Sequence, residues 1–200
     1  MITLTGKKVS EGIVIGRLAF YKRGGKEIRR IYVEDVKKEV LRFQKAKEKA
    51  MMELKDLCET SAREIGEASA MIFEMQQMVL EDSEFTDGVA KIIMEQRLNA
   101  EYAVKAAAEN FVRVYASMDS SYVRGHEADV EDVATRVLRI LARARKDKML
   151  VDEPFIMAAR DLYPSEAAQL DKTKVLGFVT MYGSINSHTA TLARTKGIHF

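Results

Sequence analysis

Two hundred residues contain one cysteine, three histidines, two prolines and no tryptophan. A single thiol, Cys58, cannot close an internal disulfide, and its helical surroundings make it a packing or surface residue rather than a reactive one. With only His126, His188 and His199 and no second cysteine, the chain lacks the ligands for a zinc cage. Its apolar runs fall far short of the roughly 20 residues that a membrane helix needs. No leader of charged, apolar and small residues precedes the first strand pattern either, so the expected location is the cytoplasm. A net charge of +2 provides no basic field for nucleic acid. With 47% hydrophobic and 31% charged residues, the composition is that of a globular chain able to bury one or two cores.

Glycine and proline are unevenly spread. Between Glu34 and Arg145 there is no proline, and glycine occurs only at positions 66, 88 and 125. Both prolines, Pro154 and Pro164, and the remaining glycines lie in the flanks. A helix-compatible block is therefore inserted between two segments that read as strands and turns. The strand candidates are Val14 to Phe20, Ile28 to Val33, Phe155 to Ala159 and Val175 to Thr180. Because these come from both ends, residues 1–33 and 146–200 are expected to form one discontinuous α/β domain, with an all-helical domain at 34–145.

Inside the block, Val36, Val40, Phe43, Ala50, Leu54 and Leu57 recur at helical spacing behind Glu34 and Asp35, whose charge favours a helix start. Further helices are predicted over Ala68 to Leu80, Phe85 to Leu98, Ala100 to Met118 with Asn99 as cap, and Glu127 to Arg145. Val130, Val133, Val137 and Leu141 form one stripe of the last. Two antiparallel pairs or a four-helix bundle would bury these faces.

Charge in the block is concentrated. Residues 59–87 hold Glu59, Glu64, Glu67, Glu74, Glu81, Asp82, Glu84 and Asp87 against Arg63 alone. Met71, Met75 and Met78 recur at helical spacing in the same stretch. Two readings remain open on these residues. The methionines are core and the acids a solvated face, or the segment is a docking surface on which charge steers a basic partner and soft methionines adapt to it.

Near the end, Gly183-Ser184-Ile185-Asn186-Ser187-His188-Thr189-Ala190 follows the β-branched run Val175 to Thr180 and opens an Ala-rich helical stretch. A histidine there meets unpaired helix N–H groups and the positive end of the helix dipole. Imidazole is nucleophilic at neutral pH, so His188 reads either as an ordinary helix-start residue or as a phosphoryl carrier. Asn186 is expected to cap the helix. Ser187, Thr189 and the helix N–H groups are candidate donors to phosphoryl oxygens, and Arg194 is assigned a structural salt bridge.

These residues resemble the phosphohistidine segment of Enzyme I, the phosphoenolpyruvate–protein phosphotransferase family of bacterial sugar uptake, Gly-Gly-x-Thr-Ser-His-(Thr/Ser)-Ala-x-x-Ala-Arg. Ser184 and Asn186 depart from it. The likeness extends to Ser10-Glu11-Gly12-Ile13, to Ile72-Phe73-Glu74 with Leu80-Glu81-Asp82, to the helix from Ala128-Asp129-Val130, and to Asp161-Leu162-Tyr163-Pro164-Ser165. The resemblance implies an α+β/α architecture, a mixed α/β phosphohistidine (swivelling) domain with an inserted helical bundle that binds the small carrier protein HPr. It implies attack by Nε2 of His188, with a hydrogen-bond partner fixing the tautomer at the other ring nitrogen. Glu67, Glu74, Met78, Glu81, Asp82 and Glu84 become the candidate HPr-facing residues. A threonine of many relatives, whose hydroxyl contacts the histidine, is Ala167 here, and Tyr163 stands where threonine commonly caps the Pro164 helix.

The resemblance also places phosphoenolpyruvate and Mg²⁺ on a C-terminal barrel, which alone needs about 250 residues. The chain is accordingly expected to be an N-terminal fragment, cut inside its α/β domain. It should be monomeric where the full-length enzyme is a homodimer, unable to phosphorylate itself from phosphoenolpyruvate, yet able to exchange phosphate with HPr. Two alternatives compete: the swivelling domain of a pyruvate phosphate dikinase or phosphoenolpyruvate synthase, which should lack the acidic helical insert, and a non-catalytic helical interaction module.

Overall fold

A computed structural model describes residues 3–24, 27–117, 127–143 and 153–200. Expected helix ends at Met118 and Arg145, the boundary at 145/146 and His126 lie outside these residues. The elements run β1 (Arg17–Tyr21), α1 (Val36–Glu64), α2 (Glu67–Glu81), α3 (Ser83–Gln96), α4 (Ala100–Ser117), α5 (Glu127–Leu141), β2 (Phe155–Ala159), α6 (Pro164–Ala168), β3 (Val175–Thr180) and α7 (His188–Lys196).

The three strands make a parallel sheet in the order β1-β2-β3. Arg17 lies opposite Phe155 and Tyr21 opposite Ala159, while an irregularity at Phe155/Ile156 shifts the register against β3. Parallel neighbours need long crossovers. The helices α1–α5 form the first and α6 the second. The chain that enters the helical block thus returns beside the strand it left. Phe155, Met157, Val175 and Phe178 are buried, whereas Leu18 and Phe20 of β1 are exposed.

The first strand runs from Arg17 to Tyr21 rather than from Val14 to Phe20, and two further expected features differ. Ile28 to Val33 is not a sheet strand: Tyr32 makes a single antiparallel bridge to Leu98. The Val33 N–H donates to the Arg97 carbonyl, the Asn99 N–H to the Ile31 carbonyl and the Ile31 N–H to Asn99 Oδ1. The segment's hydrogen bonds therefore go to the α3–α4 junction. Asn99 spends its side-chain oxygen there rather than on the first turn of α4, and the Ala100 N–H is taken by buried Glu39 at 2.7 Å. Asp35 caps α1 through the Lys38 N–H.

Along α1, Phe43, Ala46, Ala50 and Leu54 are buried, facing Ile72, Phe73 and Leu80 of α2 and Val130, Val133 and Val137 of α5 in one core. Each fully buried Val, Leu or Phe contributes about 1.5–3 kcal/mol of transfer free energy. Five helices share this burial rather than the four of a simple bundle. Its packing fixes the rotation of α2 and α5 about their axes, and with it the direction of the polar side chains that reach toward α6 and α7.

The N-terminal segment is tied to the residues that follow α7. The Val9 and Ser10 N–H groups both donate to the Phe200 carbonyl, and the Phe200 N–H donates to Ser10 Oγ. Gly12 has φ +123°, and a Cβ built on it would lie 2.2 Å from the His199 ring. Only glycine fits the Ser-x-Gly-Ile segment here, for both reasons.

Candidate functional site

His188 is the first residue of α7. Gly183 turns the chain after β3 with φ +137°, a conformation that disfavours any residue with a Cβ. The cap falls one residue later than expected. Ser187 Oγ accepts the Ala190 N–H at 3.1 Å, while the Asn186 N–H turns back to Ser184 Oγ. Because the helix begins at His188 itself, Asn186 lies outside the capping position. Thr189 is buried and donates its hydroxyl to the Leu162 carbonyl at 2.7 Å, so it anchors α7 to the segment before α6. Arg194 forms no salt bridge among the described residues. It donates to the Ile185 carbonyl at 2.9 Å and bolts the loop before His188 to its helix.

The His188 side chain, 23% exposed, reaches across to the helical bundle, where Nδ1 lies 2.9 Å from Asp129 Oδ2. An ionised carboxylate only accepts, so in the neutral imidazole the hydrogen belongs on Nδ1 and the lone pair on Nε2. Asp129 lies 59 residues away in sequence, on α5, and is itself buried. Sequence reasoning missed it as a site residue. The signal was present: Asp129, Asp132 and Arg136 sit beside Val130, Val133 and Val137 on the buried face of an amphipathic helix. Charged groups at such positions need partners.

Those partners form a network. The Gln76 amide nitrogen, on α2, donates to Asp129 Oδ1 at 3.2 Å and to Asp132 Oδ2 at 3.1 Å. Gln76 is fully buried, and its Oε1 has no partner among the described residues. The opposite amide orientation would aim that oxygen at two carboxylates. An orphaned acceptor costs about 1–3 kcal/mol, so the twofold donation outweighs it. Asp132 also accepts the Ser165 N–H at 2.9 Å and the Ser165 hydroxyl at 2.6 Å. It thereby caps α6 from another helix, the job that Tyr163 cannot do with its own side chain. Burial raises the Asp132 carboxyl above the usual range, opposed by Arg136 and by the bonds from Ser165 and Gln76. Arg136, on the next turn, pairs with Glu53 of α1 at 2.9 Å, and Arg139 joins the same carboxylate. At the other side, Glu166 accepts the Tyr163 N–H at 2.7 Å and pairs with Arg23.

Ala167 is buried and contributes no hydroxyl. An orienting contact for His188 comes from Asp129, on the helical bundle.

The acidic segment maps to α2 and the start of α3. Glu67, Glu74, Met78, Glu81 and Glu84 are exposed; Asp82 is half-buried, and its Oδ1 accepts the Glu84 N–H at 2.8 Å as the cap of α3. Met71 and Met78 are 59% and 58% exposed, so of the two readings of the methionine stripe the core one fails. Glu67, Met71, Glu74, Met78 and Glu81 follow one another at four- and three-residue steps, which puts them on a single outward face. The core is served by Ile72, Phe73 and Leu80. A cleft of about 540 Å³ between α3 and α4 is lined by Glu84, Asp87, Lys91, Met94 and Asn110.

No helix among the described residues is long and apolar enough to cross a membrane. None of the described His, Cys, Asp and Glu side chains form a group of three able to hold a metal ion. Asp129 and Asp132 are engaged by His188, Gln76 and Ser165, which leaves this pair unsuited to a divalent cation.

Residues 5–126 match the family described as PEP-utilising enzyme, N-terminal, and residues 151–199 match PEP-utilising enzyme, mobile domain. Phosphoenolpyruvate-protein phosphotransferases are similar along nearly the whole chain. The Listeria monocytogenes protein is 36% identical over 98% of this chain and 34% of its own length. That of Borreliella burgdorferi is 32% identical over 98% and 35%. The chain thus spans about a third of the length of these relatives. A solution structure of Enzyme I (nEIt) superposes with a TM-score of 0.77 at 32% identity, covering 96% of this chain and 79% of that one. The N-terminal domain of a nitrogen Enzyme 1 shares the fold, with a TM-score of 0.68 at 23% identity.

Proposed function

Given that the chain belongs to the phosphoenolpyruvate-utilising enzymes, and among them to the Enzyme I family, we propose that it is a phosphoryl carrier in which Nε2 of His188 takes up a phosphoryl group and passes it to HPr. The observation that carries this reading is the 2.9 Å contact between Nδ1 of His188 and Asp129 at the start of α7. It prepares one nitrogen for attack and fixes the ring.

The chemistry follows from that contact. The Nε2 lone pair attacks phosphorus in line as the donor oxygen departs with the P–O electron pair. Nδ1 keeps its hydrogen, so the ring becomes a phosphoimidazolium and its positive charge forms beside the Asp129 carboxylate. On transfer to HPr the N–P electrons return to Nε2 and neutral His188 is restored, with no proton moved at the carrier. Phosphoryl transfer depends on such positioning and charge compensation. The helix dipole of α7 adds favourable potential for the phosphoryl oxygens. Ser187 and Gly183 shape this turn, whereas Thr189 supports it from within.

In this reading residues 1–33 and 146–200 are the phosphohistidine domain and 34–145 the HPr-binding domain, working in the cytoplasm. Phosphoenolpyruvate and Mg²⁺ belong to a part of the longer enzyme outside these residues. Incubation with phosphorylated HPr should place acid-labile, base-stable phosphate on His188 of the 200-residue chain. Absence of that label, with HPr bound, would overturn the reading.

Docking falls to the outward face of α2 and the start of α3. Added salt should weaken HPr binding mainly through slower association, since screening limits the field to roughly 8–10 Å near physiological ionic strength. Charge reversal at Glu67 or Glu84 should act likewise and cost several-fold, because rim charges are worth about 1 kcal/mol or less. Met78→Ala should chiefly speed dissociation. Stopped-flow binding of labelled HPr separates the two effects. Unchanged kinetics in all three variants would move the docking face elsewhere.

A further inference from the structure

We propose that Gln76 is a positioning residue for His188, acting through Asp129, so that α2 carries the exposed Glu67–Glu81 stripe on one side and the orientation of the nucleophile on the other. The proposal rests on the reading of His188 as the phosphoryl carrier. At about 100° per residue, Gln76 lies nearly opposite the direction defined by Glu67, Glu74 and Met78. It is fully buried where they are exposed. Its amide nitrogen meets Asp129 Oδ1 at 3.2 Å, and the other oxygen of that carboxylate meets His188 Nδ1 at 2.9 Å. The chain of contacts from α2 to the imidazole therefore passes through one carboxylate.

Two further details favour positioning over plain packing. The amide nitrogen bridges Asp129 and Asp132, and Asp132 holds Ser165 at the start of α6. One side chain thus sets the spacing between the carboxylate that orients His188 and the one that anchors the α/β segment. Its carbonyl oxygen, moreover, is left without a partner among the described residues. A position selected for packing alone would be served better by methionine or leucine, which leave no buried acceptor unpaired. As an accepting carboxylate, Asp129 favours the Nδ1–H tautomer, and Gln76 keeps the oxygens of that carboxylate directed.

Nitrogen-15 NMR of His188, read alongside phosphate exchange with phosphorylated HPr, tests this. In the native chain the Nδ1–H tautomer should dominate. In Gln76→Met the tautomer population should shift toward Nε2–H and exchange should fall about tenfold, the effect of losing a buried hydrogen bond to a charged group. HPr affinity should stay within twofold. Gln76→Lys, which returns donors to both carboxylates, should restore the tautomer. Native tautomer and exchange rate in Gln76→Met would overturn the proposal, as would failure of Gln76→Lys to restore it. If Gln76→Met does not fold, the native protein decides: the Gln76 side-chain amide resonances should move when His188 is phosphorylated, and unmoved resonances overturn the proposal. Failure of the underlying reading is separate, because it appears as absence of phosphate on His188 in the native chain.

Discussion

His188→Ala is expected to eliminate phosphoryl exchange with phosphorylated HPr while the protein stays folded and still binds HPr. The loss should be complete because the other described histidine, His199, is held elsewhere, beside Gly177 of β3, with Nδ1 directed at the Glu11 carbonyl at 2.8 Å. The two hydroxyls that flank His188 are engaged: Thr189 donates to the Leu162 carbonyl, and Ser187 Oγ is the helix cap. The structural cost is limited. The ring is partly exposed, and its removal leaves Asp129 still accepting from Gln76. Losing one hydrogen bond to a buried charged group costs about 1.5–3 kcal/mol, which a domain of this size ordinarily tolerates. Far-UV circular dichroism should be unchanged. Exchange at the native rate in this variant would remove His188 from the mechanism, and collapse of HPr binding would show that the two halves are less separate than the docking face requires.

What could be read from sequence divides along physical lines. Local signals carried well. The runs Phe155 to Ala159 and Val175 to Thr180 are strands at the expected residues, since each is short, apolar and bounded by turn residues, the second also being rich in β-branched residues. The helices start and stop close to where caps and periodicity place them. Ile28 to Val33 has the same local appearance as a strand, yet its hydrogen bonds go to residues 97–99, a choice made by tertiary packing that no window of sequence contains. The two caps that differ share one cause. Asn99 and Asn186 are cap candidates by their own side chains, whereas the Ala100 N–H is met by Glu39 and the Ala190 N–H by Ser187. At α6, likewise, the Ser165 N–H is met from another helix, by Asp132.

The site divides in the same way. His188 stands out because its surroundings are contiguous: a strand, a positive-φ glycine and a helix start within a dozen residues. Asp129 and Gln76 do not, because they lie 59 and 112 positions away and meet the histidine only through the packing of α5 and α2. The exposed Met71 and Met78 illustrate a further limit. Their spacing is equally that of a core stripe, and only the positions of Ile72, Phe73 and Leu80 decide which side of α2 faces inward.

Asp129→Asn should give the second largest effect, and it separates charge from shape. The two side chains are nearly isosteric, so Gln76 and the fold of α5 should be little disturbed. Two properties are lost. The amide cannot compensate the positive charge that forms on the ring as Nε2 bonds to phosphorus. It can also rotate to donate to Nδ1, which selects the tautomer with hydrogen on Nε2 and removes the lone pair that attacks. In a serine protease triad, the same Asp-to-Asn change beneath a histidine lowers the rate about 10⁴-fold through the wrong tautomer. The His188 side chain is 23% exposed and water can assist it, so a fall of about 10²-fold or more in exchange is the expected result here. HPr affinity should remain native, because Asp129 is buried behind α2 rather than on its outward face. Single-turnover exchange combined with nitrogen-15 spectra of His188 measures both consequences. Native exchange with a native tautomer would reduce Asp129 to a packing role. A shifted tautomer with native exchange would show that the carboxylate orients the ring without limiting the transfer.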